Sequence, residues 1–137
     1  MNLKALGLAG ALASLFVVPA LGHHSFAIFD QTKVNYLTGT VKEYELINPH
    51  AWLHLTVMNQ AGQPATWSFE AGSVAQLVAL GWKKDSFHVG DKVEVGFRPM
   101  KDGSRGGQFM IAKLTNGQKI CSNRGCGDGS GSVLAPF

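Results

Sequence analysis

Charge is scarce in this chain, and none of it is clustered. Only 15% of the residues are charged, the formal net charge is +3, and the longest basic run is Lys83-Lys84. Such a distribution offers no phosphate-tracking stripe, so nucleic acid is not an expected partner. Cysteine is nearly absent. The two present, Cys121 and Cys126, are spaced as C-S-N-R-G-C, which is neither a CxxC redox pair nor a haem-attachment motif. Catalytic signatures are missing too: there is no HExxH, no glycine-rich phosphate loop behind a strand, no Ser-His-Asp spacing and no free Cys nucleophile. No complete catalytic set is visible, and an enzyme therefore ranks behind a binding protein.

One apolar run stands out, Ala5 to Val18, and it is short for a bilayer span. Lys4 precedes it and Pro19-Ala20-Leu21-Gly22 follows, which completes the three parts of a secretory signal. Signal peptidase requires small residues at positions −3 and −1. Ala20 and Gly22 satisfy this for a cut before His23; Val18 and Ala20 satisfy it for a cut before Leu21. Residues 1–22 thus read as a signal peptide, and the mature protein as periplasmic or secreted, with no membrane span after cleavage. In that oxidising compartment Cys121 and Cys126 are expected to form a local disulfide.

The remainder suits a single domain. From Val34 the pattern is mostly that of strands. In Val34 to Ile47, Leu37, Gly39 and Val41 share one parity and Tyr44 and Leu46 the other, which predicts a bulge or sharp coil near Glu43. Asn48-Pro49 breaks the strand. In Ala51 to Met58, Leu53, Leu55 and Val57 alternate with Trp52, His54 and Thr56. A turn at 59–63 leads to Ala65 to Glu70. Ser73 with Gln76 three residues on forms a capping box, and Gly81 fits the stop of a two-turn helix. Lys92 to Phe97 and Gln108 to Leu114 are the last strands. Three strands, one short helix and two strands match an all-β, five-stranded OB-like Greek-key barrel over residues 23–120; a small β-sandwich is the alternative. Residues 121–137 are expected to be a flexible Cys/Gly/Ser tail. Glu43, Glu45 and Glu70 read as single solvent-facing carboxylates, and Trp67 and Trp82 as core.

The histidines carry the chemistry that remains. A mature chain starting at His23 would chelate one ion with its α-amine and imidazole, because an α-amine of pKa near about 8 can deprotonate to bind metal. One further imidazole would complete a T-shaped N₃ site suited to Cu(II). His24 cannot easily fold back onto its neighbour's metal, so His50 or His54 is the expected third ligand. A start at Leu21 would instead offer the amine, two amides and the His23 imidazole, an N₄ set that also suits Cu(II) or Ni(II). Copper is accordingly the expected cofactor, with His23, His50, His24 and His54 as candidate ligands. Trp52, on the polar face of its strand, and Asn48 are candidate ligand-binding residues. They define a second class of function, an accessory module that docks a periplasmic protein or small ligand on the barrel face without metal.

His23-His24-Ser25-Phe26 behind a signal peptide, Leu37-Thr38-Gly39-Thr40-Val41 and Asn48-Pro49-His50-Ala51-Trp52 together resemble a bacterial family of small secreted proteins known as a domain of unknown function. Glu70-Ala71-Gly72-Ser73, Gly81-Trp82 and Gly90-Asp91-Lys92-Val93 also fit its pattern. The resemblance covers roughly residues 23–120 and implies export and a small β-barrel, without an established activity. Gly22 stands where the family usually has Ala, and residues 121–137 fall outside the pattern.

Overall fold

A strand that alternates apolar and polar residues can bury only one face, and five such strands here close on themselves to do so. The computed structural model describes residues 26–123. The strands are β1 (Asn35–Glu45), β2 (Trp52–Met58), β3 (Pro64–Glu70), β4 (Lys92–Pro99), β5 (Gly106–Leu114) and β6 (Lys119–Cys121), with one α-helix, α1 (Val74–Ala79), between β3 and β4 and a single 3₁₀ turn at Phe26–Ile28. The sheet order is β3-β2-β1-β4-β5-β6, and a parallel β3–β5 pairing closes it. The circuit β1-β2-β3-β5-β4-β1 is the expected five-stranded Greek-key barrel with one short helix. Among the described residues no helix is long and apolar enough to cross a membrane.

β1 bends where the parity of its sequence changes. Its register against β2 shifts between Val41 and Glu43, so that Val41 and Tyr44 both reach the core side. Closure on the far side depends on the absence of side chains. Gly106 lies opposite Ser68, and a Cβ on Gly106 would collide with the Ser68 carbonyl oxygen.

Leu53, Leu55, Phe69, Val93, Val95 and Phe97 fill the interior. Phe69 and Phe97 meet at 4.9 Å between ring centroids. α1 begins as the capping box implies, with the Ser73 side chain accepting from the Gln76 N–H. It ends with Gly81 N–H donating to Val78 O and Trp82 N–H donating to Leu77 O, a Schellman motif made with Gly81 at φ +94°. This stop turns Trp82 inward, where its ring lies edge-on to Phe109 (5.1 Å) and Phe87 (5.7 Å).

The C-terminal end differs from the sequence reading. After the turn at Asn116-Gly117 the chain adds β6 to the part of the β5 edge that β3 leaves unpaired. Ile120 is buried, the Trp82 indole donates to Cys121 O at 2.7 Å, and Ser122 N–H and hydroxyl bond to Met110 O and Phe109 O. The boundary expected after residue 120 therefore falls inside a strand. Three residues are too few for alternation to reveal a strand. Residues 1–25 and 124–137, and with them the expected signal peptide and most of the expected tail, lie outside the described residues.

Candidate functional site

Glu70 is the last residue of β3, on the opposite side of the strand from the core residue Phe69. On an open sheet that side would face water. Here Glu70 is 7% exposed, because at this end β5 runs alongside with Gln108 in register. The expectation of a solvent-facing carboxylate is thereby corrected: alternation decides the face, and barrel closure decides whether that face is wet. A buried carboxylate needs a partner, and it has one. Ala51 N–H donates to Gly72 O and Ala71 N–H to Ala51 O, which fastens the segment before β2 to the chain leaving β3. That brings His50 Nδ1 into direct contact with Glu70 Oε1.

The pair forms a wall of a cavity of about 240 Å³, shared with Phe26, Phe29, Gln108, Phe109 and Ser122. The N-terminal segment reaches this cavity along the end of the β4–β5 hairpin. Phe29 bridges to Met100, Asp30 N–H donates to Pro99 O at 2.8 Å, and Lys101 N–H donates to Ile28 O at 2.9 Å. Asp30 accepts from the Thr32 hydroxyl and N–H and pairs with Lys33; these bonds, the hydroxyl first, bring its carboxyl down to about 2. Gln31 donates to Phe26 O and accepts from Arg98, which ties the start of the described chain to β4.

On the other side of Glu70 lies a second cleft of about 240 Å³, lined by Phe29, Trp52, Ser68, Met100 and Arg105 among others. Trp52 is half-buried there and stacks parallel on His54, with the rings 5.9 Å apart and inclined by 5°. His54 Nδ1 lies 2.8 Å from Ser68 Oγ and its Nε2 3.4 Å from Glu45 Oε2.

The candidate residues thus separate. His50 belongs to the first cavity. His54 faces Ser68 and Glu45 instead, because β2 begins only at Trp52 and His50 lies before the strand. Trp52 belongs to the second cleft. Asn48 is exposed and lines neither. His88 is exposed beside Asp91. Among the described residues no three His, Cys, Asp or Glu side chains converge closely enough to hold a metal ion. His23, His24 and Cys126 lie outside the described residues. Glu70 was missed as a site residue; its signal was the EAGS stretch next to a helix cap, too local to report a partner twenty residues away.

Family comparison supports the coarser part of the resemblance, a family of unknown function. The model of a family of unknown function (DUF6152) matches residues 11–109, and the chain belongs to that family. No curated protein and no solved structure matches it.

Proposed function

We propose that this is an exported binding protein that holds a copper-type ion between its mature N-terminus at His23 and the imidazole of His50. One observation carries the reading: Phe26, three residues after His23, lines the same cavity as His50. Three residues of chain reach at most about 10 Å, so a chain that begins at His23 would have its α-amine and imidazole within reach of the cavity that His50 lines. Glu70 supports the reading from behind. A histidine whose Nδ1 is held by a carboxylate is oriented to offer Nε2 as a ligand, the arrangement common at protein metal sites. Amine, His23 imidazole and His50 imidazole would supply the T-shaped N₃ set that Cu(II) favours. Export would also place Cys121 and Cys126 where a local disulfide forms.

The test begins with N-terminal sequencing of exported protein, which should start at His23. Cu(II) affinity is then measured by competition titration. His50→Ala and a one-residue extension before His23 should each weaken binding by more than about tenfold, and Glu70→Gln by about 10–100-fold. Zn(II), which prefers a tetrahedral site, should bind less well. The extension leaves the barrel untouched, so its effect is free of any folding defect. If both the extension and His50→Ala bind copper like the parent, no shared site exists. The second reading, a docking module without metal, then takes its place, supported by Trp52 in the second cleft.

A further inference from the structure

The polar face of β2 brings together three residues that no sequence motif connects. Glu45, His54 and Ser68 stand on three neighbouring strands. His54 pairs directly across with Ser68, and the bulge in β1 leaves Glu43 opposite His54 and Glu45 two pairs further on, opposite Trp52. From there the Glu45 carboxylate reaches His54 Nε2 at 3.4 Å, while His54 Nδ1 sits 2.8 Å from Ser68 Oγ. A carboxylate can only accept, so the Nε2–H donates to Glu45, and in the neutral ring the Nδ1 lone pair then accepts the Ser68 hydroxyl. The ring is held between these partners and stacked on Trp52. A hydroxyl on a neutral imidazole whose other nitrogen is fixed by a carboxylate is the arrangement of an activated nucleophile.

We propose that Ser68 accepts an acyl group from a small activated ester, with His54 as the general base and Glu45 as the positioning residue. Ser68 lines the cleft of about 240 Å³ that also holds Arg105. That volume is below the range of pockets for drug-sized ligands, so the acyl group is short. Arg105, from the turn before β5, lines the same cleft as Ser68 and Glu70 and is its one cationic side chain among the described residues, the group we assign to offset the negative charge that develops on the acyl oxygen. As the Ser68 Oγ–C bond forms, the hydroxyl proton passes to His54 Nδ1. The ester C–O bond then breaks, and that proton goes to the departing alkoxide. Water, deprotonated by His54, adds to the acyl-serine; the acid leaves and Ser68 recovers its proton. No oxidant and no metal take part in these steps.

The experiment treats the exported protein with a fluorophosphonate serine probe and with 4-nitrophenyl acetate, a metal chelator being present throughout. Mass spectrometry should find the folded protein labelled at Ser68, and unfolding in urea should abolish labelling. Ser68→Ala should lose the label and the esterase activity. His54→Gln should slow both by about 100-fold or more. Glu45→Gln should lower kcat for the ester, counted per folded molecule by circular dichroism, with KM nearly unchanged. Labelling at another residue, labelling no faster than in urea, or esterase activity surviving in Ser68→Ala would overturn the proposal. The identity of the labelled residue in the parent protein decides the matter even if a variant fails to fold.

Discussion

Tyr44 is a residue whose environment sets its chemistry. Its ring packs at 5.1 Å on Phe87 and its hydroxyl donates to Lys83 O at 3.0 Å. Burial of the phenol, reinforced by nearby Asp85 and only partly offset by a hydrogen bond with Ser86, pushes its pKa up to about 12. In the unfolded chain a tyrosine ionises near about 10. The folded pKa is the higher one, so the folded state favours the protonated phenol. The contribution is fully present below about pH 10 and is lost as pH rises from there to about 12. Urea denaturation of the parent and Tyr44→Phe at pH 8, 10 and 11.5 checks this. The parent should lose more stability than the variant over the upper interval; equal losses would mean that the phenol ionises alike in the folded and the unfolded chain. Glu70 teaches the same dependence from the opposite direction. Its type and strand position suggest water, and its neighbours remove it.

At the scale of elements, closure of the barrel is the demanding step. β3 and β5 meet in parallel over three residue pairs, Ser68 to Gly106, Phe69 to Gly107 and Glu70 to Gln108. The backbones approach so closely that Gly106 cannot carry a Cβ beside Ser68 O, and on the other side of β5 Gly107 cannot carry one beside Arg98 O of β4. Gly106→Ala should therefore cost about 3 kcal/mol or more, at the upper end for point substitutions. Gly62→Ala serves as a control. It sits in the β2–β3 turn at φ +74° with nothing near its would-be Cβ, and pays only the conformational cost of about 1 kcal/mol. Chemical denaturation compares the two. A Gly106→Ala loss no larger than the Gly62→Ala loss would mean that the closure can open by about 1 Å without penalty.

Across the whole molecule, the core is completed by residues distant in sequence. Trp82, from the turn after α1, donates its indole proton to Cys121 O in β6, and Ile120 is buried beside the same cluster. A chain ending at Asn116 removes β6, strips the indole of its acceptor at about 1–3 kcal/mol, and exposes apolar surface equal to an Ile side chain at about 1.5–3 kcal/mol. A chain ending at Asn123 keeps both. The denaturation midpoint should therefore fall clearly for the shorter chain and little for the longer one, as read by Trp fluorescence. If the two midpoints coincide, β6 adds nothing to the barrel.

Read alone, the sequence determines the first five strands, the helix and even the kink in β1, but not β6. Each is written in local periodicity: Leu53 and Leu55 alternate, Ser73 and Gln76 cap, and parity switches between Val41 and Tyr44. Element order was enough to suggest a barrel, because a helix between the third and fourth strands suits few small folds. The tertiary structure alone decides which polar residues meet. His50 and Glu70 are twenty residues apart and touch because two loop segments are hydrogen-bonded at Ala51. Glu45, His54 and Ser68 meet because three strands share one register. Periodicity reports the face on which a side chain stands. The neighbour across that face, and the water it displaces, depend on how the chain closes, and a short stretch of sequence carries no record of that.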